Sequence, residues 1–472
     1  MNTAHPRRWT ALAVIALAQF MVIMDTSIIG VALPDIQAEL GFSADGLSWV
    51  FNAYVIALAG MLLLGGRLSD LLGARRVFMA GWVVLAGGSL AAGLAGSPGV
   101  EVAARAVQGA GAALIAPSAL TLLVTLFGHT PRELGKAFAI YGAAAPAGGT
   151  AGVFLGGVIT EWMSWPWVFY VNLPIALLVL AVTPRLMPAA AAHRGSVDLL
   201  GALSASAGLA LLVFGIVRAP EEGWSAMTTI GSVAAGLVLL TLFVTLQAVR
   251  RAPLMPLAIL RTPNLAAANL VQLLLGAAWI PMWFFLNLYL QQVLGYGAFE
   301  GGAALLPMTL AIMVLMVLVA PRVIARFGPK TTVVAGMLVL AAGMAAMSLV
   351  RADGTFAVDV LPASLIAATG MALAFIPSLG TAISAARPEQ GGLASGIVNT
   401  SYQVGSALGL AVMTAFASSR GAAAIGDTGA LTQGYSAAFA GAAAVALAGG
   451  AVAALLLRRE RASRGEAEPA TA

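Results

Sequence analysis

Charge-free segments of about twenty residues recur along the whole chain, for example Val77 to Ala95, Thr228 to Val249, Leu265 to Leu288 and Val360 to Ile383. As a helix, each can cross the roughly 30 Å hydrocarbon core of a bilayer. The chain is 60% hydrophobic and 9% charged, with a mean hydropathy of +0.95, which excludes an ordinary soluble globule. Its 54 glycines and 22 prolines fit the same reading, because neighbouring spans re-satisfy the backbone groups that these residues free. The expected fold class is therefore an all-α polytopic membrane protein. We read fourteen transmembrane spans: Trp9–Leu33, Leu47–Leu64, Val77–Ala95, Val100–Leu123, Gly135–Ile159, Trp167–Val182, Leu199–Val217, Thr228–Val249, Leu265–Leu288, Gly301–Ala320, Thr331–Leu349, Val360–Ile383, Gly392–Phe416 and Tyr435–Leu457.

The basic residues orient these spans. Alternate connections hold twenty lysines and arginines, from Arg7 and Arg8 to Arg461 and Arg464, whereas the opposite connections hold only Arg218, Arg351 and Arg420. By the positive-inside rule both termini are expected in the cytoplasm of a multi-pass protein of the cell membrane. The net charge of +5 is thus a topology signal, and no nucleic-acid partner is implied. The first span has basic flanks but exceeds the length of a signal-peptide core, so it is expected to be retained. With no cysteine, and with His5, His129 and His193 all in connections, neither thiolate chemistry nor a metal cluster is expected. There is no Walker-type loop, zinc His-Glu pattern or nucleophile elbow, which excludes an ATP-driven pump and argues against an enzyme.

An internal repeat divides the chain. The connection Gly66-Arg67-Leu68-Ser69-Asp70-Leu71-Leu72-Gly73-Ala74-Arg75-Arg76 has an echo in Pro321-Arg322-Val323-Ile324-Ala325-Arg326-Phe327-Gly328-Pro329-Lys330. Pro131-Arg132-Glu133-Leu134-Gly135 is echoed by Pro388-Glu389-Gln390-Gly391, and Ile115-Ala116-Pro117-Ser118 by Phe375-Ile376-Pro377-Ser378, at nearly the same shift. A parallel repeat of six spans with an inserted pair accounts for this. The expected units are a six-helix bundle at 1–184, two inserted helices with their loops at 185–255, a second six-helix bundle at 256–457, and a disordered cytoplasmic tail at 458–472.

Local motifs point to a family. Asp25-Thr26-Ser27-Ile28-Ile29-Gly30-Val31-Ala32-Leu33-Pro34-Asp35-Ile36, Trp49-Val50-Phe51-Asn52-Ala53-Tyr54, the Gly66 to Arg76 connection and Arg105-Ala106-Val107-Gln108-Gly109-Ala110-Gly111 together resemble the major facilitator superfamily. Within it, the chain resembles the fourteen-span drug:proton antiporters of the multidrug-efflux type. It departs from that pattern in the fifth span, where Gly152-Val153 precedes Gly156-Gly157, and at Trp165-Pro166-Trp167. The resemblance implies a major facilitator fold of two six-helix bundles plus an inserted pair. It also implies alternating access without a cofactor, driven by the proton gradient, and a gating motif comprising Gly66, Asp70, Gly73, Arg75 and Arg76.

The chemistry rests on two charges in apolar spans. Asp25 is the only carboxylate we place well inside a span, and Arg105 is the only cation there. An ionised group at that depth costs several kcal/mol unless paired or hydrated. The two lie at similar depth and are expected to face one cavity as the proton-coupling pair; a static ion pair locking two helices is the bland alternative. Asn52, Gln108, Tyr141, Trp279, Trp283, Gln291, Asn399 and Gln403 are expected to line a substrate cavity that is apolar with a few polar groups. Gly148, Gly152 and Gly156, with Gly405 and Gly409, form small-residue stripes for helix packing, either within a bundle or as a sliding contact between the halves. Asp70 is expected to meet the N-terminus of the span starting at Gly391. The expected function is proton-coupled export of neutral or monovalent cationic lipophilic drugs or a toxic natural product, by a monomer in a lipid bilayer. An uncoupled facilitator or uptake permease is the alternative.

Overall fold

The computed structural model describes residues 7–458, apart from 43, 129, 189–197, 251–252, 254, 388–389, 423 and 425. The three histidines' two connection members at 129 and 193, His5, the Pro388-Glu389 landmark and the tail beyond 458 therefore lie outside the described residues. Among the described residues there is no strand, and the molecule is built of helices α1 (Arg8–Leu40), α2 (Ala44–Leu72), α3 (Ala74–Gly93), α4 (Pro98–Phe127), α5 (Pro131–Trp162), α6 (Trp167–Tyr170), α7 (Asn172–Leu186), α8 (Leu199–Glu222) and α9 (Met227–Val249). They continue as α10 (Pro263–Leu288), α11 (Ala298–Ala304), α12 (Leu306–Val314), α13 (Ala320–Met347), α14 (Leu361–Ser384), α15 (Gly391–Ala417) and α16 (Thr428–Leu456). Eleven helical stretches among the described residues are long and apolar enough to cross a membrane. Leu200–Ile216 forms a shorter apolar helix, and Glu300–Met347 is one apolar stretch of 48 residues.

The long helices pack in pairs on either side of the chain's middle. In the first half α1 packs on α5, and α3 and α2 pack on α4; in the second, α10 packs on α15 and α13 on α14. The two echoing connections turn through glycines with left-handed backbone, Gly73 at φ 90° and Gly328 at φ 80°, a region in which other residues are strained. Gly328 interrupts the helical dihedrals of α13 and so bends the long stretch. The halves meet chiefly where α2 and α4 lie against α15, and where α5 lies against α11 and α12.

The inserted pair is more than a spacer. α8 and α9 pack on each other, and α8 also rests against α2 and α15, the helices of the seam. Leu63, Ala202, Ala205, Leu209, Leu393, Ala394 and Ile397 form one buried apolar cluster there. Asp198 caps α8 by accepting from the Gly201 amide at 3.0 Å, and also takes Gln247 Nε2 at 3.0 Å and Arg250 Nη1 at 3.0 Å, tying the ends of α8 and α9 together. Most of α9 is uncovered, with Leu237, Val238, Leu242 and Val244 exposed, a surface suited to lipid rather than water.

Candidate functional site

A buried charge cluster occupies the first half. Asp25 sits on the inward face of α1 with Met21, Ile28 and Ile29, one turn to either side, all buried. On α4 the inward stripe is Glu101, Ala104, Arg105, Gln108 and Ala112, at the three- and four-residue spacing of one helical face. Close backbone approach holds α4 in place: a Cβ on Gly109 would lie 2.3 Å from the Tyr54 carbonyl oxygen of α2, and one on Gly88 of α3 would lie 2.8 Å from the Gln108 nitrogen. Only glycine permits these contacts.

Arg105 Nη1 donates to Asp25 Oδ2 at 2.6 Å and to Gln108 Oε1 at 2.8 Å, while its Nε donates to the Val50 carbonyl at 2.9 Å. Asp25 Oδ1 accepts from Asn172 Nδ2 of α7 at 2.7 Å and from Gln108 Nε2 at 3.2 Å. Ser89 Oγ of α3 accepts from the same two amides, at 3.1 Å from Asn172 and 2.7 Å from Gln108. The guanidinium carbon lies 4.6 Å from the centroid of the Tyr54 ring and 5.8 Å from that of Phe169. Asp25 is 1% and Arg105 0% exposed, so a carboxylate with three donors is fixed beside a cation among α1, α2, α3, α4 and α7. The two charges meet as a pair, but they are enclosed within the first half rather than lining an open cavity between the halves.

Asp25 is the only carboxylate placed well inside a span, but a second carboxyl group, in the first turn of α4, is also buried. Glu101, one turn before Arg105 on α4, is 0% exposed, and neither of its oxygens has a hydrogen-bond partner among the described residues; Arg105 Nη2 is likewise buried without one. α4 begins at Pro98 after a short connection, and Ala92, Ala104, Trp165, Val168 and Phe169 pack as one buried cluster with residues of α1 and α2. A position in the first turn that reads as interfacial thus belongs to the interior. Ser89 and Asn172 were also missed, because a neutral serine or asparagine in a span resembles any interhelical hydrogen bonder.

The expected cavity residues are dispersed. Gln108 belongs to the charge cluster, and Asn52 is buried on α2. Tyr141 donates to Gln19 Oε1 at 2.7 Å and joins α5 to α1. Trp279 and Trp283 stand on α10 with ring centroids 6.2 Å apart. Trp283 reaches the other half, lying 3.9 Å from where a Gly149 Cβ would be, beside Ile23 and Ser27 of α1. Gln403 is half-buried on α15, Asn399 donates to its own helix at the Ser395 carbonyl, and Gln291 is exposed and bonded to Asn287.

The glycine stripes are resolved in favour of close packing within each half. A Cβ on Gly148 would lie 2.3 Å from the Phe20 carbonyl oxygen, and Gly152 and Gly156 abut Ser27 and Ile28, so this stripe faces α1. A Cβ on Gly405 or Gly409 would lie 2.0 or 2.2 Å from the carbonyl oxygen of Leu273 or Ala277, so this stripe faces α10. A sliding contact between halves is not what these residues make.

The halves are joined at the Gly66 to Arg76 connection. Asp70 Oδ1 accepts from the Gly392 amide at 2.9 Å and Oδ2 from the Leu393 amide at 3.0 Å, first-turn amides of α15 that no helical carbonyl satisfies. A Cβ on Gly66 would lie 2.4 Å from the Gly392 carbonyl oxygen, so the α2 and α15 backbones touch. Arg75 donates to the Met187 carbonyl at 3.2 Å and the Pro184 carbonyl at 3.4 Å at the end of α7, whereas Arg76 is exposed.

A charge pair enclosed within the first bundle, and a carboxylate that joins this bundle to the N-terminus of α15, belong to an all-helical molecule with many apolar helices long enough to span a membrane. Residues 15–410 match the Major Facilitator Superfamily, and the chain belongs to that family. It is accordingly a transporter and not an enzyme. It is 40% identical over 438 residues to the cephamycin export protein CmcT of Amycolatopsis lactamdurans, covering 92% of this chain and 89% of the relative. It is 37% identical over 428 residues to the puromycin resistance protein pur8 of Streptomyces alboniger, covering 90% and 84%. The human organic anion transporter MFSD10 shares the fold with a TM-score of 0.68 at 17% identity, covering 95% of this chain and 100% of that one.

Proposed function

We propose that the protein is a proton-coupled exporter of neutral or monovalent cationic lipophilic compounds, antibiotics or a toxic natural product, acting as a monomeric antiporter in the cell membrane. Fourteen spans are taken as six, an inserted pair and six, with both termini cytoplasmic and the Asp70 latch on the cytoplasmic side. The observation that carries the proposal is the Asp25–Arg105 pair, 2.6 Å apart and withdrawn from solvent. Protonation of Asp25 releases the donors from Arg105, Gln108 and Asn172, and with them the mutual hold of α1, α4 and α7. α1 also carries Ile23 and Ser27 to the seam opposite Trp283. A change in its packing is therefore felt where cargo would lie between the halves. The membrane potential contributes about 2.3 kcal/mol per elementary charge per 100 mV. The names of the relatives, an export protein and a resistance protein for antibiotics, support the direction and the cargo class.

A second reading, an uncoupled facilitator with a purely structural ion pair, is favoured by the full burial of both partners. Proton movement in inverted vesicles separates the two, using as probe puromycin or another antibiotic to which the protein confers resistance in an efflux-deficient host. Asp25→Asn is expected to insert normally and to abolish both probe-dependent proton movement and resistance. Accumulation of the probe against a gradient by this variant would refute coupling through Asp25.

A further inference from the structure

Arg105 faces two carboxyl groups and is paired with one. Its Nη1 and Nε are bonded to Asp25, Gln108 and Val50, while Nη2 is buried without an acceptor. One turn away on the same helix, Glu101 is 0% exposed and both of its oxygens lack a donor among the described residues. The spacing of four, with the acid nearer the helix N-terminus, is the favourable arrangement for an ion pair along a helix. Two unmet halves of one charge-assisted hydrogen bond therefore stand one turn apart on the same helix.

Charge counting limits what this cluster can hold. The charges acting on Glu101 are Arg105 of its own helix and Asp25 of α1; α2 adds the Tyr54 ring beneath the guanidinium, α3 the neutral Ser89, and α6 and α7 the neutral Phe169 and Asn172. With Asp25 ionised and paired, an ionised Glu101 would leave one uncompensated negative charge out of water, at a cost of several kcal/mol.

We propose that Glu101 carries the exchangeable proton of this cluster and is the alternate partner of Arg105. The two states are ionised Asp25 paired with Arg105 beside protonated Glu101, and protonated Asp25 beside ionised Glu101 paired with Arg105. In passing between them the O–H bond at Glu101 breaks, one forms on an Asp25 oxygen, and the guanidinium changes partner; nothing is oxidised or reduced, and the total charge stays at zero. The inference rests on the proposed coupling and supplies what Asp25 lacks, a step toward the end of α4 that begins at Pro98, which is the outer end in the proposed topology.

Infrared spectroscopy of the purified full-length protein in lipid at neutral pH tests this without any cargo, by reading the C=O stretch of protonated carboxylic acids. Exposed carboxyls are ionised there, with reference pKa values of about 4. Wild type is expected to show a buried protonated-carboxyl band, Glu101→Gln to lose it, and Glu101→Asp, which guards against a folding artefact, to keep it at a shifted frequency. Asp25→Asn is expected to lose the band as well, because the freed guanidinium then pairs with Glu101 and ionises it. A band unchanged in Glu101→Gln, or undiminished in Asp25→Asn, would overturn the inference. The vesicle assay decides the role of Asp25 separately: loss of coupling in Asp25→Asn with full coupling in Glu101→Gln leaves Asp25 as the proton site and removes Glu101 from the pathway.

Discussion

The two halves share a scaffold and differ in what it encloses. Gly148 meets the Phe20 carbonyl as Gly405 meets that of Leu273, so Asp25 on α1 corresponds to Ala278 on α10. Pro117 within α4 and Pro377 within α14 align Glu101, Arg105 and Gln108 with Leu361, Leu365 and Ala368. Gly88 abuts α4 at Gln108 as Gly343 abuts α14 at Ala367, which aligns Ser89 with Met344. Each of these five counterparts is apolar. The second half instead buries Met282, Met308, Met316, Met337, Met344, Met347, Met371 and Met413, flexible side chains that fill irregular space. Its polar bonds between packed helices are neutral, such as Gln272 Nε2 to Ser378 Oγ at 3.0 Å, and its Arg351–Asp359 ion pair lies at the surface, with Arg351 57% exposed. The glycine contacts that hold the helices together are thus common to both halves, and the buried charge is a feature added to one of them. Under the proposed function this difference would be a division of labour, with proton handling in the first half and an adaptable wall for cargo in the second.

Writing the second half's residues into the first is the most forceful way to break the comparison. Arg105→Leu alone strands the Asp25 carboxylate and is expected to cost about 3–5 kcal/mol. The double substitution Asp25→Ala with Arg105→Leu removes both charges and is expected to regain most of that loss, because apolar packing commonly matches or exceeds a buried ion pair in stability. Gln108, Asn172 and Ser89 retain bonds to one another in the double variant. Thermal unfolding in detergent should therefore show a strongly destabilised single variant and a near-normal double variant that has lost proton coupling. A double variant as unstable as the single would mean that the cluster is needed to build the first half.

How far these features were legible in the sequence follows from their chemistry. Asp25 and Arg105 stood out because an isolated charge in an apolar run is rare and costly. The Asp70 contact with α15 was legible because an acid flanked by Gly66 and Gly73 matched a helix start at Gly391. Glu101 was hidden because it lies in the first turn of a span, where charges usually meet water, and the neighbouring Ala104 is packed with Trp165, Val168 and Phe169, which lie far along the chain. The glycine stripes showed their face by spacing, but no periodicity names the helix on the other side.

The Asp70 latch has no charged counterpart, since the echoing connection carries Ala325 at that place. Asp70→Asn keeps an acceptor for the α15 amides but removes the charge that favours a helix N-terminus. A weakening of the contact between halves by about 1.5–3 kcal/mol is expected. Because the chain has no cysteine, single cysteines placed at the facing ends of α2 and α15 report opening by their labelling rates without background. Faster labelling in Asp70→Asn is the expected result; an unchanged rate would mean that backbone contact at Gly66 and Gly392 suffices to hold the seam.

The smallest effect belongs to the second half and sharpens the contrast most. Ser378 Oγ accepts from Gln272 Nε2 and itself donates to the Ala374 and Phe375 carbonyls of its own helix, while Gln272 Nε2 also reaches the Phe375 carbonyl at 3.3 Å. Ser378→Ala leaves the glutamine with that second acceptor, so a loss of only about 0.6 kcal/mol is expected, the usual worth of an interhelical hydrogen bond within a membrane. Neither group changes charge over the working pH range, so the pH dependence of transport should be that of wild type. A shift in that dependence on Ser378→Ala would mean that proton handling extends across the seam into the second half, and the division between the halves would have to be redrawn around Gln272.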